Sequence, residues 1–137
     1  MGARLVSSSY LVTEEAIRVF AREFDPQLFH LDPEAAKESV FGALVASGWQ
    51  TAAISMRLFV ETMNVRGGII GLGVKELKWP TPVKAGDELQ LQIEVLDARR
   101  SKSRPNSGIL QVENVTVNQR GEVVQSFTAG LMLPISG

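Results

Sequence analysis

The chain contains no cysteine. Disulfides, thiolate nucleophiles and cysteine-ligated zinc are therefore excluded. It contains a single histidine, His30, so one chain cannot build a multi-histidine metal site. Neither sign of charge dominates: 14 basic residues meet 15 acidic ones, for a net charge of −1. Nothing in that balance forms the basic face that nucleic acid requires. The most apolar stretch, Phe41 to Met63, is interrupted by Gln50, Arg57 and Glu61, whereas a membrane span needs roughly 20 apolar residues in succession. The N-terminus, MGARLVSSSYLVTEEA, lacks the apolar centre of a secretory signal. Its Met-Gly start with Ser7 resembles a myristoylation signal, and chance accounts for that. A soluble, cytoplasmic protein is expected, with no metal and no nucleic-acid or membrane partner.

What is present suits one domain, spanning residues 1–137. Hydrophobic residues make up 45% of the chain and charged residues 21%, enough apolar material for a core and too little charge for disorder. Thr13 can cap a helix whose first turn carries Glu14 and Glu15, with Ile17, Phe20, Ala21 and Phe24 following at helical spacing. Pro26 ends it. A second, short helix follows, with Asp32 as its cap and Pro33 in its first turn. Phe41 to Met63 reads as a helix buried on most of its circumference. The remainder reads as strands: Leu5–Val12, Ile69–Trp79, Asp87–Arg100, Ser107–Asn118 and Glu122–Pro134. In the third of these Leu89, Leu91, Ile93 and Val95 alternate with Gln90, Gln92 and Glu94, a period of two. Short turn signals between the strands predict a largely antiparallel meander. The fold class is thus α+β, a long helix wrapped by a sheet of five or six strands. The glycines at 67, 68, 71 and 73 lack a phosphate-loop ending and mark a turn and a close approach of strand to helix.

The sole imidazole lies in FDPQLFHLDPEAA, Phe24 to Ala36, a turn braced by Pro26 and Pro33 with Asp25 five residues before His30. A turn pinned at both ends can present side chains to a ligand. On spacing alone the pair is a weak signal, and a surface or capping role is the plain alternative.

The longer segment FAREFDPQLFHLDPEAAKESVFGALVASGWQTAAISMRL resembles the signature of the MaoC-type acyl dehydratases and R-specific enoyl-CoA hydratases. LKWPTPVKAGDELQLQIEVLDARRS resembles the strand-turn-strand that follows it in those proteins. The likeness covers roughly residues 14 to 133. It implies the hotdog fold, homodimers or larger homo-oligomers, and active sites at the subunit interface. Asp25 matches the carboxylate of the hydratase dyad and His30 its imidazole. Gly48 matches the glycine whose backbone N–H faces the thioester carbonyl, with Ser47 beside it as a further substrate-facing or capping residue. There are departures. Phe24 stands where hydratases commonly carry glycine, and Pro26, Gln27, Leu28 and Phe29 replace an asparagine-proline pair. Ser47 stands where a histidine is often found, and Met56 where some members have serine.

The resemblance implies an acyl-thioester hydratase or dehydratase of the kind met in fatty-acid metabolism, acting on a 2-enoyl-CoA-type substrate. It requires no cofactor beyond the coenzyme A thioester, which is part of the substrate. Two rival readings use the same fold. A hotdog thioesterase commonly places an acidic residue on the central helix, and Ala43 to Val60 holds none. A non-catalytic acyl-CoA-binding protein would keep the fold without the chemistry.

Overall fold

Thr13 opens the first helix as expected, its side chain accepting the Ala16 N–H at 3.1 Å. A computed structural model describes residues 2–135 of the chain; Met1 of the Met-Gly start lies outside them, as do residues 136 and 137. In order the elements are β1 (Arg4–Leu11), α1 (Glu14–Phe24), α2 (Leu28–Leu31), α3 (Pro33–Ala36), α4 (Gly48–Met63), β2 (Ile70–Lys78), β3 (Glu88–Arg100), β4 (Ser107–Val117) and β5 (Val123–Pro134). The α+β architecture is the expected one, with one antiparallel sheet of five strands packed on the long helix α4.

The alternation in β3 does what a period of two predicts: Leu89, Leu91 and Ile93 are fully enclosed against α4. They join Ile17, Leu58, Val112 and Val124 in the core between helix and sheet. Burying each large aliphatic chain contributes roughly 1.5–3 kcal/mol, so this row anchors the fold.

Three expectations about the sheet and the central helix need correction. The strands do not form a simple meander. β3, β4 and β5 are consecutive neighbours, but the sheet order is β1-β3-β4-β5-β2, so β2 crosses over to pair with β5 at the far edge. Turn lengths could not reveal this, because the long α4 connection lets β1 and β2 reach opposite edges.

The central helix is also shorter than Phe41–Met63. It begins at Gly48, because the backbone before it is bonded elsewhere. The Val45 N–H donates to Phe29 O at 3.0 Å and the Ala46 N–H to Val83 O at 2.8 Å, which holds this stretch extended against the Lys84 bridge. Leu44, Val45 and Ala46 are buried there as extended chain.

Nor is α4 enclosed on most sides. The face toward the sheet carries Gln50, Thr51 and Ser55 beside Ile54, Leu58 and Phe59. The Gln50 amide donates to Ala16 O at 3.0 Å, and Ser55 Oγ lies 2.7 Å from Thr116 Oγ1. The outer side leaves Trp49, Met56 and Val60 more than half exposed. Arg57, also outside, meets Glu61 at 3.5 Å and lies over the Tyr10 ring.

Of the glycines, Gly67 and Gly68 adopt positive φ in the turn before β2, as expected of a turn. Gly71 and Gly73 do not mark a close approach to the helix, since a Cβ at either position would meet nothing within 4 Å.

Candidate active site

Asp25 is the C-cap of α1. Its N–H still donates to Ala21 O at 2.9 Å, but its own backbone has left the helix, as a residue before proline must. The chain then turns at once into α2, which was expected as loop. The His30 N–H closes that turn on Gln27 O at 3.0 Å, and Asp32 stops it by capping α3, accepting from the N–H groups of Glu34 and Ala35. One compact bend thus sets the carboxylate and the imidazole side by side: His30 Nε2 lies 3.2 Å from Asp25 Oδ2.

The ring is fixed at its other nitrogen. Nδ1 lies 2.6 Å from the backbone carbonyl of Val45. A carbonyl oxygen only accepts, so Nδ1 carries the hydrogen, and in the neutral ring Nε2 is a bare acceptor facing Asp25. His30 is buried, edge-on to Phe29, while the Asp25 side chain keeps about a fifth of its surface open (22%). The pair is therefore held from behind and reachable from one side.

Burial pushes the Asp25 carboxyl upward. Hydrogen bonds from Gln27 and Ser47, together with the adjacent His30 ring, outweigh that and hold it below its ordinary value of 3.8. The Gln27 amide donates to Oδ1 at 2.6 Å. Asp25 is accordingly a carboxylate at neutral pH.

Ser47 and Gly48 bring the start of α4 to this pair. Ser47 is fully buried and is the N-cap, its Oγ accepting the Trp49 N–H at 3.3 Å. Its carbonyl takes the Gln50 and Thr51 N–H groups. Among the described residues the Gly48 N–H has no acceptor, so it is a free donor at the positive end of a 16-residue helix. Gly48 is also sterically required. A Cβ there would lie 2.7 Å from two ring carbons of Trp79. That indole donates its Nε1–H to the buried Gln125 Oε1 at 2.8 Å and meets Trp49 edge-on at 5.2 Å.

All four residues singled out from the sequence thus lie around one bend and one helix start. The sequence reading missed Val45, Gln27, Trp79 and Gln125 as contributors. Val45 acts through its carbonyl, which no side-chain pattern reports. Gln27 was noticed only as a departure. Beyond Trp49 a groove of about 470 Å³ follows α4 toward β2 and β5, lined by neither Asp25 nor His30.

A family model described as "MaoC like domain" matches residues 2–118. Among solved structures, the MaoC-like dehydratase from Rhodospirillum rubrum is 50% identical, with a TM-score of 0.93 over 100% of this chain and 94% of that one. The R-hydratase PhaJ1 from Pseudomonas aeruginosa is 26% identical, with a TM-score of 0.80 over 99% of this chain and 83% of that one. YdeM, an uncharacterized protein of Bacillus subtilis, is 38% identical over 88% of this chain and 84% of its own. The architecture the two solved structures share with this chain is the hotdog fold. With the match spanning most of its length and these likenesses beside it, the chain belongs to the MaoC-like hydratase and dehydratase family.

Proposed function

We propose that the protein adds water to, or removes it from, a 2-enoyl-CoA-type thioester, with Asp25 and His30 as the catalytic dyad. The observation that carries this reading is the 3.2 Å contact between His30 Nε2 and Asp25 Oδ2, with Nδ1 tied to Val45 O. At that separation no water fits between the two groups. A water lying across them can donate one hydrogen to each, which turns its oxygen lone pair outward. In hydration that oxygen attacks the β-carbon as Asp25 takes the proton. His30 orients the water, takes that proton from Asp25 at Nε2 across the 3.2 Å contact and delivers it to the α-carbon, so the dyad ends the cycle as it began. The charge that develops on the thioester oxygen meets the Gly48 N–H and the start of the α4 dipole, where losing one good donor costs about 10²–10³ in rate. Ser47 supports both ends, as cap of α4 and as a polar neighbour that helps hold the Asp25 carboxyl down.

A homodimer belongs to the same reading. β2 is an edge strand, and its Ile70, Leu72 and Val74 are each more than half exposed. A second copy pairing along that edge would cover them. The thioesterase alternative finds no support in α4, whose only acidic residue, Glu61, is exposed and paired with Arg57.

The test is the loss of enoyl absorbance when purified protein meets a panel of 2-enoyl-CoA thioesters. Hydration of at least one member is expected. Release of free thiol without hydration would point to the thioesterase instead, and inactivity across the panel would defeat the enzymatic reading.

A further inference from the structure

The groove beside α4 contains one polar group that its surroundings do not explain. It starts at Trp49, next to the free Gly48 N–H, and follows one stripe of α4 through Met56 and Val60, with Ile69, Leu77 and Phe127 opposite. Trp49 to Val60 spans about 16 Å at the rise of a helix. The lining is almost wholly apolar, as a carbon chain requires.

Asn114 of β4 is the exception. It lines the groove, it is 5% exposed, and its Oδ1 has no hydrogen-bond partner among the described residues. Its partners across the sheet are Ile93 and Phe127, which have nothing to offer it. Thr116, two residues on and on the same face, bonds Ser55. Thr116 thus marks a point about two helical turns beyond Gly48, and Asn114 lies one strand repeat from it, in the groove lining with Met56 and Val60. Gln50 Oε1 and Gln125 Nε2 also lack partners among the described residues, but neither residue lines the groove; at Asn114, a floor that met only methylene groups would be better served by leucine.

We propose that the acyl chain held in this groove carries a hydrogen-bonding oxygen, a hydroxyl or oxo group remote from the thioester, and that Asn114 selects it. This rests on the hydratase reading above, which brings an acyl thioester to Gly48. An amide both donates and accepts, so it satisfies either group. A site that hydrogen-bonds its substrate discriminates strongly against the analogue that lacks the group.

Titration calorimetry on the intact protein tests this without catalysis. The probes are a saturated medium-chain acyl-CoA and the same chain bearing a hydroxyl, placed at successive positions in its far half. At one position the hydroxylated chain is expected to bind at least about tenfold tighter. Asn114→Leu, checked for folding by circular dichroism, is expected to abolish that preference, and Asn114→Ser to keep part of it. Should Asn114→Leu not fold, Asn114→Ser and the wild-type comparison still decide. Equal binding of all chains by the wild type, tighter binding of the plain chain, or no binding of any would overturn the inference. So would a preference unchanged in the variants. Hydration of a short enoyl-CoA by the same preparation is scored separately: activity there alongside no preference here defeats only the Asn114 assignment.

Discussion

The bend that holds Asp25 and His30 and the groove between α4 and β2 both adjoin the start of α4, yet they are finished to different degrees. In the bend, polar groups meet polar groups: carboxylate to ring, ring to carbonyl, amide to carboxylate, hydroxyl to helix N–H. In the groove, large apolar side chains face outward, two glycines stand in open space, and a buried amide oxygen lacks a partner. The first region is positioned almost wholly by bonds within one chain. The second has the character of an open surface, which the proposals above fill with substrate along α4 and a second copy along β2. On the proposed reading, the difference separates the chemistry, placed at the bend, from the specificity, placed in the groove.

The comparison can be broken most sharply at the bend. Asp25→Asn or His30→Ala is expected to lower enoyl-CoA hydration by about 10²–10⁴-fold, as loss of a positioned acid or base does. The folded circular dichroism spectrum should persist. Retained activity would show that the completed polar cluster is only structural. On the open side, Leu72→Lys places a charge on the β2 edge and is expected to convert dimers into monomers in sedimentation experiments. An unchanged mass would remove β2 from the interface.

Gly48→Ala probes the seam between the two regions. The added methyl would meet the Trp79 ring, so a loss of about 1–3 kcal/mol in denaturant unfolding is expected. Adding Trp79→Leu should recover part of it, in a double-mutant cycle that reads the contact directly. The smallest effect belongs to Ser47→Ala: about 1 kcal/mol from the lost cap. The same change removes a hydrogen bond that holds Asp25 down, so the carboxyl should titrate closer to 3.8. The sign for stability follows. Because the folded value is depressed, the stability Asp25 contributes is fully present above 3.8 and disappears as pH falls through the lower folded value. The stability gap between wild type and Asp25→Asn should therefore shrink below that pH in acid unfolding curves.

Much of this was legible in the residues. Thr13, Asp32 and Ser47 are caps because a short oxygen-bearing side chain before a helix satisfies N–H groups whatever surrounds it. β3 was readable because alternation along a strand reports burial directly. α4 was misread on both counts, in where it starts and in how it is buried. Leu44 to Ala46 are apolar because they are buried in extended form, and composition does not distinguish extended from helical burial. Gln50, Thr51 and Ser55 interrupt an apolar helix in the sequence, yet they point inward, where Gln50 donates to Ala16 O, Thr51 to Ser47 O and Ser55 to Thr51 O while Ser55 meets the Thr116 hydroxyl.

The sequence by itself determined the local parts: the capped helices, the strand periods, and an acid and an imidazole drawn to one proline-braced bend. These depend on forces that act within a few residues. Only the tertiary structure decided that β2 crosses to β5, that Val45 sets the tautomer of His30, that Trp79 occupies the space glycine leaves at position 48, and that Asn114 lies under α4. Each of these depends on groups far apart in the chain, whose meeting is set by how the sheet closes on the helix.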